Sequence, residues 1–423
     1  MPTPSRPASL LQKLLAVDVF PEFSVKVRRA VLSPLGFLCL AALLSLALGL
    51  LLHPRVFTLF GVIAGCAVVG VMVPRLTVVG LTGSLKFARA RATEGESVAA
   101  EITVTNRLPW PAWGLTVSGR EGQESGEDGA RLSAVPGRRL SAHEWEFAPP
   151  CRGVYPVGIP TIGTAFPFGL WQARRDVSVE RELIVWPKTY PVGPPPTFGG
   201  EEQPDGNVSR NKVGTSGDVL GVRPYRRGDS PRRIHWAQSA KHDRLIVCEL
   251  QSNARPVIQI VLDVNPGVHA GAGGDGSLEW AVRVAASMAK GWLDDGAMVG
   301  LVHAGDEIAP TGGASHTARI MDSLARVTPA SATNLGDLLA CPKCRSFREG
   351  VQVIVTTDAG MSPLACGHCR DGHQRWVVLG RAGFAEDGAE AKDRPGDAWL
   401  WLDSPRSVPG RLRSGWEEAV HGS

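Results

Sequence analysis

Two runs near the amino end, Leu35 to Leu52 and Val56 to Val73, each hold eighteen residues without a charge. About 20 apolar residues cross the hydrocarbon core of a bilayer. Each run is close to that length, and Pro54, between His53 and Arg55, supplies a tight turn. A transmembrane helical hairpin is therefore predicted, and it limits the rest of the chain to what two flanking soluble segments can build. A signal peptide fits less well, because some thirty residues precede the first run and a second span follows it directly.

Arg6, Lys13, Lys26, Arg28 and Arg29 precede the hairpin, and Arg75, Lys86, Arg89 and Arg91 follow it, whereas the turn carries Arg55 and His53. Positive charge marks the cytoplasmic side. Both flanks are expected in the cytoplasm, with the chain integral to the membrane. Ser45 with Gly49, and Gly61 with Gly65, have the small-xxx-small spacing that lets membrane helices approach closely. Glycine is also simply common in such helices.

A formal charge of +4 over 423 residues gives no reason to expect a nucleic-acid partner for the whole chain. The soluble part changes character along its length. From residue 76 to 190 the runs are short and broken by Gly, Pro and Asn. In one of them Val98, Ala100, Ile102 and Val104 alternate with more polar neighbours. Period-2 runs of this kind over about a hundred residues predict a β-sandwich. Pro191 to Gly206 is rich in Pro and Gly and reads as a linker or extended arm. Beyond it, "PVIQIVLD", "AMVGLVHA", "VQVIVTT" and "RWVVLG" alternate with helical segments. The clearest of these is Ser277 to Asp295, with a stripe of Leu278, Ala281, Val282, Ala285, Met288, Ala289 and Leu293. Continuous apolar strands alternating with amphipathic helices predict a parallel sheet covered on both faces. Ligands of such sheets bind beyond the carboxyl ends of the strands, where Asp263 and Asp358 fall. The expected division is 1–30 cytoplasmic segment, 31–75 hairpin, 76–190 sandwich, 191–255 linker and arm, and 256–423 α/β domain.

The stretch "YRRGDSPRRIHWAQSAKHDRLIVCELQ", Tyr225 to Gln251, resembles the signature of bacterial proteins carrying domain of unknown function 58, and "CRGVYPVGIPTIGTAFPFGLW", from Cys151, resembles the segment preceding it there. The resemblance implies a von Willebrand factor A-like, doubly wound α/β domain after the signature. It also implies association with MoxR-type AAA+ ATPases in the assembly or maturation of other proteins. No settled enzymatic activity comes with it, so an enzyme is not expected.

That fold usually holds a metal through Asp-x-Ser-x-Ser, a Thr and an Asp. Here Asp263, Thr333 and Asp358 match, while Asn265 and Gly267 stand in place of the two serines. An Asn oxygen can ligate Mg²⁺, but Gly267 has no side chain to offer, and bound Mg²⁺ is not expected. Asp263 and Asp358 are expected instead to cap loops.

Three roles compete for the signature: a nucleic-acid or anion grip through Arg226 to Arg244, a catalytic loop, and an interaction latch. Asp218, Asp229, Asp243 and Glu249 interrupt its positive charge, and its spacing requires no nucleophile-base pair. A latch is preferred, carried by Arg227, Asp229, Arg232, Arg233, His235 and Trp236. Ile234 and Trp236 are expected to turn into apolar surroundings, with "RLIVCEL" adding an edge strand to the main sheet. The chain then reads as a membrane-anchored scaffold or adaptor. A metal-dependent enzyme at the Asp263, Thr333 and Asp358 corner is the alternative.

Cys341 with Cys344, and Cys366 with Cys369, form two Cys-x-x-Cys knuckles separated by twenty-one residues. This spacing is a tetrahedral zinc pattern. Both pairs should lie at the amino ends of adjacent parallel strands and share one structural zinc ion. Unliganded thiols and a redox pair are the alternatives.

Overall fold

A computed structural model describes residues 33–118, 130–196, 210–226, 231, 234–252, 255–271, 273–331, 334–341, 344, 345, 347, 350–361, 373–385, 394–396 and 398–420. They fall into two compact units. Met1–Ala90, Ser97–Phe147 and Tyr155–Leu183 make the first, and Arg91–Glu96, Ala148–Val154 and Ile184–Ser423 the second. The division departs from the expected boundary at 190. Two short pieces from inside the expected sandwich, and the chain from Ile184 on, belong with the second unit.

In the first unit, helices Pro34–Leu51 and Val56–Val79 pack side by side, and both are long and apolar enough to cross a membrane. Ser33 caps the first, its hydroxyl accepting from the Gly36 N–H at 3.0 Å, and Pro34 follows where a missing N–H costs nothing. Ser45 and Gly49 are buried, and a Cβ on Gly49 would stand 3.3 Å from the Phe57 ring. The second glycine pair behaves otherwise, since a Cβ on Gly61 or Gly65 would meet nothing within 4 Å. Two four-stranded sheets follow. One orders Ser178–Arg181, Leu81–Phe87, Val98–Asn106 and Arg139–Phe147, and the other Ala130–Val135, Ala112–Ser118, Thr161–Thr164 and Ala173–Asp176. Val98, Ala100, Ile102 and Val104 are all buried, as their alternation predicts.

The second unit is built on a six-stranded sheet in the order Asp306–Thr311, Met298–His303, Val257–Leu262, Val351–Thr357, Gln374–Leu379 and Leu400–Leu402. All neighbours run parallel except the first pair, which is antiparallel. The edge strand Asp306–Thr311 and the short Leu400–Leu402 are additions to the predicted set. One face packs Ile258, Ile260, Val353 and Val377 against helices Ser277–Asp294 and Ala314–Arg326. Val261, Ile354 and Val378 on the other face meet Leu335, Leu338 and Met361.

Helix Ser277–Asp294 is buried more widely than its apolar stripe predicts. Trp280, Arg283 and Ser287 are buried as well, because the chain at 186–193 lies over that side. Tyr190 stacks on Trp280 at 5.8 Å, its N–H donates to the Ser287 hydroxyl at 3.0 Å, and Trp292 donates to the Gly193 carbonyl at 3.0 Å. The first residues of the expected linker are thus a strap on the α/β unit.

Candidate functional site

Adjacent parallel strands deliver Asp263 and Asp358 to the carboxyl edge of the large sheet. Asp263 is 1% exposed. Its carboxylate accepts from the Asn265 N–H at 3.1 Å and the Thr356 hydroxyl at 2.8 Å, and its carbonyl takes a bond from His269 Nε2 at 2.9 Å. His269 Nδ1 meets the Ser277 hydroxyl at 3.0 Å, and burial lowers the proton affinity of this imidazole. Asp358 accepts from the Arg381 N–H at 3.1 Å. The Asn265 carbonyl accepts from the Gly267 N–H at 2.9 Å, while its amide donates to the Asn334 side chain at 2.7 Å. Among the described residues of the metal pattern, the Asp263, Asn265 and Asp358 side chains thus each accept hydrogen bonds from the protein itself. Thr333 lies outside the described residues. Among the described residues no three His, Cys, Asp or Glu side chains converge on one point.

The signature forms a separate structure. Arg210–Pro224 pairs antiparallel with Ile246–Ser252 in a sheet of two, so "RLIVCEL" does not extend the main sheet as expected. Between them, His235 caps the short helix Trp236–His242, its ring accepting from the Gln238 N–H at 3.2 Å. The Ser239 hydroxyl donates to the His235 carbonyl at 3.0 Å and accepts from the Ile246 N–H at 2.9 Å, locking helix to strand. Ile234 bridges to Val247 and is half-buried. Trp236 contradicts the expectation of a buried aromatic, being 68% exposed. It stands at the first position of the helix, two residues after the Ile234 bridge. Arg226, Lys241 and Arg244 around it in sequence are exposed too. Arg227, Asp229, Arg232 and Arg233 lie outside the described residues.

Cys341 ends helix Leu335–Ala340, and its sulfur accepts from the Cys344 N–H at 3.4 Å. Burial and the neighbouring Cys341 push the Cys344 thiol up to about 12. The Cys344 carbonyl accepts from Gln352 at 2.7 Å, at the amino end of strand Val351–Thr357, and the Gln352 N–H donates to the His373 carbonyl at 2.8 Å. Cys366 and Cys369 lie outside the described residues.

One constellation escaped the sequence. Glu94 accepts from the Arg283 guanidinium at 2.9 Å, the Arg152 N–H at 2.9 Å and the Lys188 N–H at 3.1 Å. Arg152 pairs in turn with Glu279 and donates to the carbonyls of Leu324 and Val327 at 3.0 and 2.9 Å. Arg283 also donates to the Gly274 carbonyl at 2.7 Å and lies 4.9 Å over the Trp280 ring. Buried charges are tolerated when paired and fully hydrogen-bonded, as these are. The cluster fastens Arg91–Glu96 and Ala148–Val154 to helix Ser277–Asp294. Beside it a cleft of about 560 Å³ is lined by Arg91, His303, Asp306, Arg319, Asp322 and Arg326. Burial alone would raise the Asp322 carboxyl, but hydrogen bonds from Arg91 and Trp186 outweigh it and hold the group below its ordinary range. The "CRG" at Cys151 was the only sequence signal for any of this.

No curated protein matches the chain. Among solved structures, the CARDB domain of a Pyrococcus furiosus protein aligns at 15% identity over 24% of this chain and 94% of its own, with a TM-score of 0.15. A β-glucosidase from Erythrobacter marinus aligns at 11% identity over 23% and 15%, with a TM-score of 0.15. An exo-β-N-acetylglucosaminidase from Vibrio harveyi gives 13% over 35% and 23%, with a TM-score of 0.17. Likeness at this level carries no information about fold or activity. The family comparison is specific: residues 221–362 match the family described as protein of unknown function DUF58. The matched span takes in the helix of Trp236, helix Ser277–Asp294 and the corner of Asp263 and Asp358, so the likeness to this family covers the signature region and most of the large sheet.

Proposed function

We propose that this chain is a membrane-anchored adaptor whose second unit binds another protein through the signature region. The observation that carries the reading is the exposure of Trp236 at the head of a short helix, with Arg226, Lys241 and Arg244, near it in sequence, exposed as well. Aromatic and Arg residues dominate the binding energy of protein interfaces, and a large exposed aromatic costs free energy unless a partner covers it. The cations favour an acidic partner surface. A MoxR-type AAA+ ATPase, or a client of one, is the partner that the family resemblance implies. The two apolar helices would form a hairpin anchor in the bacterial plasma membrane, with basic flanks holding both soluble units in the cytoplasm. The two four-stranded sheets of the first unit suit a β-sandwich. The strand order and the two covered faces of the large sheet suit a von Willebrand A-like, doubly wound domain. We read the four knuckle cysteines as ligands of one structural zinc. Recovery of native partners from membranes by the full chain and by Trp236→Ala, followed by mass spectrometry, tests the adaptor reading. The variant should lose a partner that the parent retains while melting at the same temperature, and an unchanged partner set would refute it.

A further inference from the structure

We infer that the first unit carries an aromatic ledge that sits in the headgroup region of the bilayer, beside the point where the second apolar helix leaves it. The inference rests on reading the two helices as a membrane hairpin. Helix Val56–Val79 rises about 1.5 Å per residue, so roughly 20 residues from Val56 bring it across the hydrocarbon core near Arg75. Gly70 then lies several ångströms inside that boundary. The sheets of the first unit reach it there: a Cβ on Gly70 would fall 2.6 Å from Leu170 Cδ1. Leu170 thus packs on the helix at a depth where lipid tails begin. Next to it the Arg75 guanidinium lies 5.2 Å from the centre of the Trp171 ring. Arg175 donates to the Val79 carbonyl at 2.7 Å at the end of the same helix, and a Cβ on Gly80 would strike the Leu108 side chain.

The segments at this end of the first unit, 107–113 and 165–171, expose their largest side chains. Trp110 is 47% exposed, Trp113 44%, Phe168 53% and Trp171 41%. Trp113 also lies 5.3 Å from Phe166, which is itself exposed. A patch of this size on a water-facing surface is costly, and tryptophan is enriched where one end of a side chain is apolar and the other wet. The nearby cations, Arg75 and Arg175, match anionic lipid headgroups. Continuity with the span and this charge identify the occupant as the bilayer surface rather than a soluble protein.

The chain's own tryptophans provide the probe, because residues 34–79 contain none. The full chain is reconstituted in phosphatidylcholine and phosphatidylglycerol vesicles, with and without bromine on the acyl chains, and its tryptophan emission is compared. Brominated lipid should quench the parent. The Trp110→Phe, Trp113→Phe, Trp171→Phe variant should lose most of that quenching, and adding Phe168→Trp to it should restore part. Extraction of the same vesicles with alkaline carbonate reports on the hairpin separately. Protein that resists extraction but is not quenched, or whose quenching survives the triple substitution, overturns the ledge and leaves the hairpin standing. Release into the supernatant overturns the hairpin, and the ledge with it.

Discussion

The Thr356 hydroxyl donates to the buried Asp263 carboxylate across two parallel strands, 2.8 Å apart and ninety-three residues distant in sequence. Gly360 leaves room for that bond. A Cβ there would fall 2.2 Å from Thr356 Oγ1 and 2.8 Å from Asp263 Oδ2. Asp263 is thereby a buried, satisfied carboxylate, and removing one donor leaves charge unsolvated. Thr356→Val is expected to cost about 1–3 kcal/mol, the penalty for such an unmet group. Gly360→Ala should destabilise as well, through displacement of the same hydroxyl. Denaturant titration of the full chain in detergent checks both, and native stability in either variant would remove Asp263 from the structural frame of the corner.

Arg283 and Glu94 form a second buried relationship, with side chains 10% and 5% exposed. Taking away one member strands the other charge, so Glu94→Ala should lower stability by about 3–5 kcal/mol, as broken buried pairs do. Replacing both together, as Glu94→Leu with Arg283→Met, should recover much of the loss, because a packed apolar pair needs no solvation. Melting curves of the two variants decide it. A double variant no better than the single would mean that the loss comes from the Arg152 and Lys188 N–H groups left without their Glu94 acceptor, and not from a stranded Arg283.

What could be foreseen separates by the range of the forces involved. The strands Val98–Asn106 and Val351–Thr357 were legible because their burial patterns follow from period-2 alternation and from an unbroken apolar run. The bond between Glu94 and Arg283 was not, since its partners stand 189 residues apart and no local pattern pairs them. The same pairing ties Arg91–Glu96 to helix Ser277–Asp294 within the second unit, a link that a division of the sequence at residue 190 passes over. Trp236 failed for a local reason. Aromatic content was taken as a sign of burial, but Ile234 fills the turn and the helix begins two residues later with its first side chain outward. At the metal corner the types of residue were read correctly, while the Asn265 side chain closing back on Gly267 could be seen only in three dimensions.

Acid sensitivity should arise from buried imidazoles. Burial holds the proton affinities of His269 and His303 below the ordinary value of 6.5. As pH falls through about 6.5 the unfolded chain takes up protons that the folded chain refuses, and stability rises with pH wherever the unfolded state binds more. Their contribution is complete above that value, declines as pH falls towards the folded values, and is constant below them. Stability measured between pH 7.5 and 5 should therefore fall on acidification, on the order of one factor of ten in the unfolding constant per group per unit of pH within the window. The fall should be shallower in a His269→Gln, His303→Gln variant, and equal slopes would assign the pH dependence to other groups.

The cysteine knuckles permit the most direct chemical test. Without metal, the Cys344 thiol is 3% exposed and held up to about 12, so it keeps its proton at neutral pH. A zinc ion binds thiolate, and uptake must expel that proton, which makes affinity fall as pH falls. Four thiolates close a tetrahedral shell, so the full chain purified without chelator should carry about one zinc. Cys344→Ser and Cys366→Ser should each lose it and melt lower, whereas Asp263→Ala should keep it, because that carboxylate lies at the opposite end of the sheet from Gln352 and the Cys344 carbonyl. Chelation of the parent should then expose thiols that react slowly with an alkylating reagent at pH 7 and faster as pH rises. Elemental analysis that finds no zinc in the parent, or the same zinc in Cys344→Ser, would leave the two pairs as ordinary thiols.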